Sequence, residues 1–183
     1  MTRCRWCNLK NPLYVAYHDA EWGRPVHDDR KLFEFLVLES FQAGLSWETI
    51  LNKREHFRIV FDDFDPEIVR LYDEGKIEAL MTDTGIVRNH RKIEAAIRNA
   101  SVFLAIQKEW GSFSNYIWHF TDGMTICEYG PTASPLSDRI SKDLKRRGMR
   151  FVGTTIVYSY LQAIGILWSH DPECDLYMRP PSV

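Results

Sequence analysis

Along almost the whole chain, apolar side chains recur at intervals of three and four residues, and runs alternating apolar with polar between turn signals are scarce. That periodicity predicts an all-α protein, because each segment then presents one apolar stripe that only another helix can cover. "DDRKLFEFLVLESFQAG" reads as a helix with Asp28 or Asp29 as its cap and Gly44 as its stop. "SWETILNKREHFRIVF" opens on a Ser cap and sets Trp47, Ile50, Leu51, Arg54, Phe57 and Phe61 at helical spacing. "DPEIVRLYDEG" has the Asp, Pro and Gly order of a short helix, and "FVGTTIVYSYLQAIGIL" reads as a buried one running toward "WSHDPECD".

With 183 residues and 45% hydrophobic content the chain is expected to form one domain over residues 1–183, with residues 121–135 as the longest loop. It contains no uncharged apolar run of 18 residues, and "MTRCRWCNLKNPLY" lacks a signal-like core, so a cytoplasmic protein without a membrane span is expected. In a reducing compartment the four cysteines, Cys4, Cys7, Cys127 and Cys174, favour a metal or free thiols over disulfides. A net charge of −2 leaves any nucleic-acid contact to a local patch.

One such patch lies in residues 76–106, where an apolar helical segment ending near Met81 meets a short turn containing Gly85, and Asn89 can cap the next helix. This is a helix-hairpin-helix pattern. The main-chain N–H groups of Gly85, Ile86, Val87 and Arg88, with the following helix start, can point at one phosphate, and Arg88, His90, Arg91 and Lys92 add positive charge. A plain interhelical turn fits the same letters. A second basic run, Lys142, Lys145, Arg146, Arg147 and Arg150, contacts DNA only if it shares the hairpin's face; otherwise it is a solvated helix surface.

Glu39 is the carboxylate out of place. On a helical projection Leu32, Leu36 and Ala43 centre the apolar sector and Glu39 falls inside it, whereas Lys31 and Glu34 point the other way. A buried carboxylate must be paired, hydrogen-bonded or protonated, so Glu39 either holds loop amides or an Arg, or lines a pocket. Trp6, Tyr14, Tyr17, Trp22 and Trp47 lie in the neighbouring sequence, and flat rings beside one acid suit a planar cationic ligand.

Taken together, "CRW", "NPLYVAYHDAEWG" (with Asn11 where the family has Asp), "LESFQAGLSWETILNKREHFRIVFDDFD", "TGIVRNHRKIEAAIRNA" and "KRRGMRFVGTTIVYSYLQAIG" resemble the 3-methyladenine DNA glycosylase I family, nearly end to end and in its order. The resemblance implies a helix-hairpin-helix glycosylase that flips N3-methylated adenine out of double-stranded DNA, hydrolyses it to an abasic site and releases free 3-methyladenine, working as a monomer. It also implies a structural Zn²⁺ joining the chain ends through Cys4, His18, His170 and Cys174, a closed set of two thiolates and two imidazoles. Cys4, Cys7, His170 and Cys174 would also make four ligands; the family pattern favours His18 over Cys7.

Within that family Glu39 corresponds to the base-reading acid rather than a general base, Trp47, Tyr17 and Trp6 stack on or close over the base, and Leu45 in "AGLSW" is the candidate wedge. "SVFLAIQKEWGS" offers no Asp to support a sugar cation, which the family is thought to do without. A non-catalytic adaptor for alkylated or bent DNA and a small-molecule hydrolase using Glu39 are the competing readings.

Overall fold

Local capping accounts for where most of the helices begin. The computed structural model describes residues 1–177 and 179–180. Helix α1 (Pro12–Ala20) is capped by Asn11, α2 (Asp29–Gln42) by Asp28, whose carboxylate accepts from the Lys31 N–H at 2.8 Å, and α3 (Trp47–Val60) by Ser46. Then follow α4 (Pro66–Val69), α5 (Glu74–Thr82), α6 (His90–Trp110, capped by Asn89), α7 (Phe113–Trp118), α8 (Pro135–Arg147) and α9 (Thr154–Ala163).

Three features of the secondary structure differ from the sequence reading. Gly75 does not stop α4, which ends at Val69; it sits in the first turn of α5, where Asp73 supplies the cap. The apolar stretch 151–167 is helical only over α9, after which Gly165 turns the chain with φ +81. A Cβ at Gly165 would lie 2.3 Å from the Arg24 carbonyl carbon, so only glycine lets the two segments pass. The all-α expectation also misses a ladder of two residues per strand, β1 (Ile126–Cys127) parallel to β2 (Leu167–Trp168), with Ile126 opposite Leu167 and Cys127 opposite Trp168. It is too short to leave a period-two signal.

Helix α2 runs through the middle of the core, against α3, α6, α7 and α9, and every residue from Leu32 to Phe41 is buried. Phe33 packs on Phe103, Phe103 stacks on Phe113 at 4.0 Å, and Phe41, Phe57, Phe61 and Phe64 continue the aromatic core. A helix covered on all sides has no solvent face, so Glu34 is not exposed as the projection suggested. Its Oε1 accepts from Arg54 Nε at 2.7 Å and from Arg58 Nε at 2.8 Å. Arg54 also donates to both Glu21 oxygens, at 2.7 and 2.8 Å. This paired network ties the segment after α1 to α2 and α3. Among the described residues no helix is long and apolar enough to cross a membrane.

Candidate active site and metal centre

Glu39 lies one and a half turns beyond Glu34 on the same buried helix, but no positive side chain meets it. It lines a cavity of about 340 Å³ together with Trp6, Tyr14, Tyr17, Trp22 and Trp47, so the five expected aromatics are brought to one acid. Helix α1 supplies Tyr14 and Tyr17 one turn apart, and the following turn supplies Trp22, next to the Arg54-bound Glu21. Trp47 is the first residue of α3, and Trp6 comes from the turn closed by Cys7 N–H to Cys4 O. Ring centroids are 5.2 Å apart for Trp6 and Tyr14, 4.8 Å for Trp6 and Trp22, and 5.2 Å for Tyr17 and Trp47.

Burial alone pushes the Glu39 carboxyl up to about 8, so at neutral pH it is mostly protonated when nothing charged faces it. Its Oε2 and the Trp47 indole N–H are buried without a protein partner, although such groups are nearly always satisfied. Burial, reinforced by Glu39, also raises the Tyr17 and Tyr14 phenols, the latter to about 12, so both stay neutral. The cavity therefore offers ring faces, a ring N–H and, in Glu39, an acid with no protein partner, a set that fits a planar base carrying amino groups and positive charge.

Behind the aromatics, Cys4 Sγ, His18 Nε2, His170 Nδ1 and Cys174 Sγ lie within 4.8 Å of one another in the interior. A tetrahedral metal with bonds of about 2.0–2.3 Å sets its ligand atoms roughly 3.3–3.8 Å apart. Here Cys4 Sγ to His170 Nδ1 is 3.3 Å, Cys174 Sγ to His170 Nδ1 3.5 Å and Cys174 Sγ to His18 Nε2 3.6 Å, so the donors fit. His18 Nδ1 meets Asp19 Oδ1 at 2.8 Å, and Arg3 holds that carboxylate at 2.7 and 2.8 Å, an outer brace that presents Nε2 to the cluster. The amides of Asp171 and Leu176 donate to the two sulfurs. Cys7 lies outside the cluster and donates to Tyr14 O, so the alternative set without His18 is not the one assembled.

The residues read as a hairpin join α5 to α6. Arg88 is exposed, Val87 half-buried and Ile86 buried; the main-chain N–H groups of all three donate to no described residue. The Gly85 N–H is different: it donates to Asp83 Oδ1 at 2.7 Å. Lys92, expected beside Arg88, points inward instead. Its buried ammonium donates to Phe41 O at 2.8 Å and Ala43 O at 2.6 Å, capping the C-terminus of α2 and leaving no charge for a phosphate. Leu45 follows that end of α2 and is 42% exposed. In the second basic run Arg147 is held by Asp143 and Glu109, and Arg146 by Asp143, whereas Lys142, Lys145 and Arg150 are exposed. The Arg150 amide bonds Asn99 on α6, roughly 13 Å along that helix from its hairpin end.

The model of the methyladenine glycosylases matches residues 6–178. The chain belongs to the methyladenine glycosylase family. DNA-3-methyladenine glycosylase 1 of Escherichia coli strain K12 is 45% identical over 184 residues, covering 97% of each chain. A crystal structure of 3-methyladenine DNA glycosylase I superposes with a TM-score of 0.91 at 46% identity, over 95% of this chain and 98% of the other. A variant of 3-methyladenine DNA glycosylase I in complex with 3-methyladenine superposes at 0.90 with 36% identity, over 100% of this chain and 99% of that one.

Membership of the methyladenine glycosylases leaves part of the cavity wall that no sequence signal announced. Gln42, Ser159, Gln162, Ser169 and Asp171 complete it, together with the loop Tyr129 to Pro131. These come from the last turn of α2, one face of α9 and the segment after β2, where the sequence singled out neighbouring residues but not these. Asp171 is a carboxylate in the wall, but its Oδ2 already accepts from the Arg5 N–H at 2.6 Å.

Proposed function

We propose that the chain is a monofunctional DNA glycosylase that removes 3-methyladenine from alkylated DNA in base-excision repair, leaving an abasic site. The observation that carries this reading is Glu39: a buried carboxyl without a protein partner, in an aromatic cavity, inside a fold shared with 3-methyladenine glycosylases. Methylation at N3 makes the base in DNA a cation and a good leaving group, so the protein needs to supply positioning more than acid catalysis. The flipped base enters between the rings of Trp6, Tyr14, Tyr17, Trp22 and Trp47. Its positive charge favours the ionised Glu39, which accepts from the exocyclic amino group. The glycosidic bond then breaks with its electron pair going to the base, which leaves neutral; water adds to the sugar carbon and loses a proton to solvent. The reaction needs no second carboxylate, and Asp171 is engaged by Arg5.

Three finer assignments belong to the same proposal. Cys4, His18, His170 and Cys174 hold a structural Zn²⁺ that fixes the N-terminal turn bearing Trp6 to the segment bearing Ser169; their convergence and the Asp19 brace support it. Residues 76–106 act as a helix-hairpin-helix element on double-stranded DNA, supported by the undonated amides of Ile86, Val87 and Arg88 beside the start of α6. Leu45 fills the gap in the base stack, supported by its exposure and by its place in the chain between Gln42 and Trp47 of the cavity lining. The chain acts on DNA as a monomer in the cytoplasm. Incubation with methylated duplex DNA, followed by chromatography of released bases, tests the proposal. Free 3-methyladenine is expected; binding to damaged DNA with no base released would point to an adaptor instead.

A further inference from the structure

Gly85 is the residue that a phosphate-gripping hairpin would keep small so that DNA can approach, but in this fold the space beside it is already taken. A Cβ built on Gly85 would lie 2.1 Å from His56 Cδ2, 2.4 Å from Nε2 and 2.6 Å from Cγ, contacts no side chain tolerates. Gly85 is not among the glycines with positive φ, so its backbone would accept alanine without strain. The imidazole ring of α3 is what forbids a side chain at position 85.

The same ring also grips the hairpin. His56 Nε2 lies 2.9 Å from both oxygens of Asp83, and that carboxylate accepts from the Gly85 N–H at 2.7 Å. One turn earlier on the same face of α3, Lys53 Nζ donates to Thr84 O at 2.9 Å. Three consecutive residues, Asp83 to Gly85, are thereby fastened to α3 before α6 begins at His90. The other end of α3 carries Trp47 of the cavity and follows the exposed Leu45. A helix of 14 residues spans roughly 20 Å, so one rigid element connects the hairpin with the base pocket.

We infer that His56 is the positioning residue of the hairpin: its ring, not an approaching phosphate, imposes glycine at position 85, and its contact with Asp83 sets the hairpin amides in register with the wedge and pocket at the far end of α3. This rests on the hairpin's DNA role proposed above. His56 itself touches no base and no reacting atom.

The test is a double-variant cycle on the full chain, with His56→Ala, His56→Gln, Gly85→Ala and His56→Ala/Gly85→Ala. Three quantities are measured: affinity for duplex DNA with a stable abasic-site analogue, affinity for free 3-methyladenine, and melting temperature. Loss of the contact to a charged carboxylate in His56→Ala should weaken duplex binding about ten-fold and leave free-base affinity unchanged. His56→Gln keeps an N–H donor and should recover most of the loss. Gly85→Ala should weaken duplex binding by about ten-fold or more, or fail to fold, and the double variant should return to the level of His56→Ala alone. If the double variant is no better than Gly85→Ala, the coupling is wrong and the inference falls. If melting temperatures follow the cycle while duplex affinity never moves, the coupling stands and the hairpin's role on DNA is overturned.

Discussion

Replacing Glu39 by Gln changes one proton and almost no volume, and its consequences follow from the burial of that carboxyl. In the folded chain the acid titrates near 8, against 4.5 for an unperturbed Glu. Between those values the unfolded chain binds fewer protons than the folded one, so stability falls as pH rises from about 4.5 to about 8 and is level above. At pH 7 the full difference would be roughly 3 kcal/mol. Because the carboxyl lines an open cavity rather than close-packed protein, about 1–3 kcal/mol is expected. Glu39→Gln should therefore melt at a higher temperature than the parent at pH 7–8, with the gap closing near pH 4.5. A cation entering the cavity must drive out the Glu39 proton, so kcat/KM on methylated duplex DNA should rise with pH toward about 8 in the parent and lose that rise in Glu39→Gln. Without the charge-assisted hydrogen bond, worth roughly 1.5–3 kcal/mol, single-turnover release of 3-methyladenine should slow by about ten- to a hundred-fold. Paired pH series of melting and of excision read both effects. A Glu39→Gln protein that excises at the parental rate and melts with the parent at every pH would refute the reasoning.

The remaining expectations concern the metal, the basic residues and the wedge. Protein purified without chelator should contain about one zinc per chain; Cys174→Ala and His18→Ala should lose it with a marked drop in melting temperature, whereas Cys7→Ser should keep it, as elemental analysis will show. Lys92→Met should lower stability by about 1–3 kcal/mol in denaturant titrations, because two carbonyls at the end of α2 lose their cation, but should leave the salt dependence of DNA binding alone. Arg88→Ala should do the reverse, reducing the slope of log affinity against log salt by about one with little change in stability. Leu45→Ala should slow excision from duplex DNA while binding of free 3-methyladenine is unchanged, since the exposed side chain lies outside the cavity lining.

Helix starts were legible in the letters because a cap is a contact within three residues: Asp28, Ser46 and Asn89 each bond the amide three positions on, whatever the rest of the chain does. The Cys and His of the cluster and the aromatic group were legible as residue types matching a family pattern. Where local spacing was asked to report on the solvent boundary it misled. The projection that set Glu39 apart from Glu34 assumed a helix with a wet face, but α2 is wrapped on all sides and both acids are buried. What separates them is a partner supplied from elsewhere: Arg54 and Arg58 reach Glu34, and no cation reaches Glu39.

Lys92 and Gly85 show the same limit in the hairpin. Their sequence neighbours suggested phosphate, whereas their spatial neighbours are the carbonyls ending α2 and the ring of His56 on α3. The sequence by itself thus determined the local geometry, the helix caps and turns, and the inventory of reactive groups, since each depends on a few adjacent residues. Only the tertiary structure decided which charges are neutralised, which glycine is crowded and by what, and that Cys4 meets His170 across 166 residues of chain. Those outcomes depend on desolvation and on contacts between distant segments, which no period of two, three or four residues encodes.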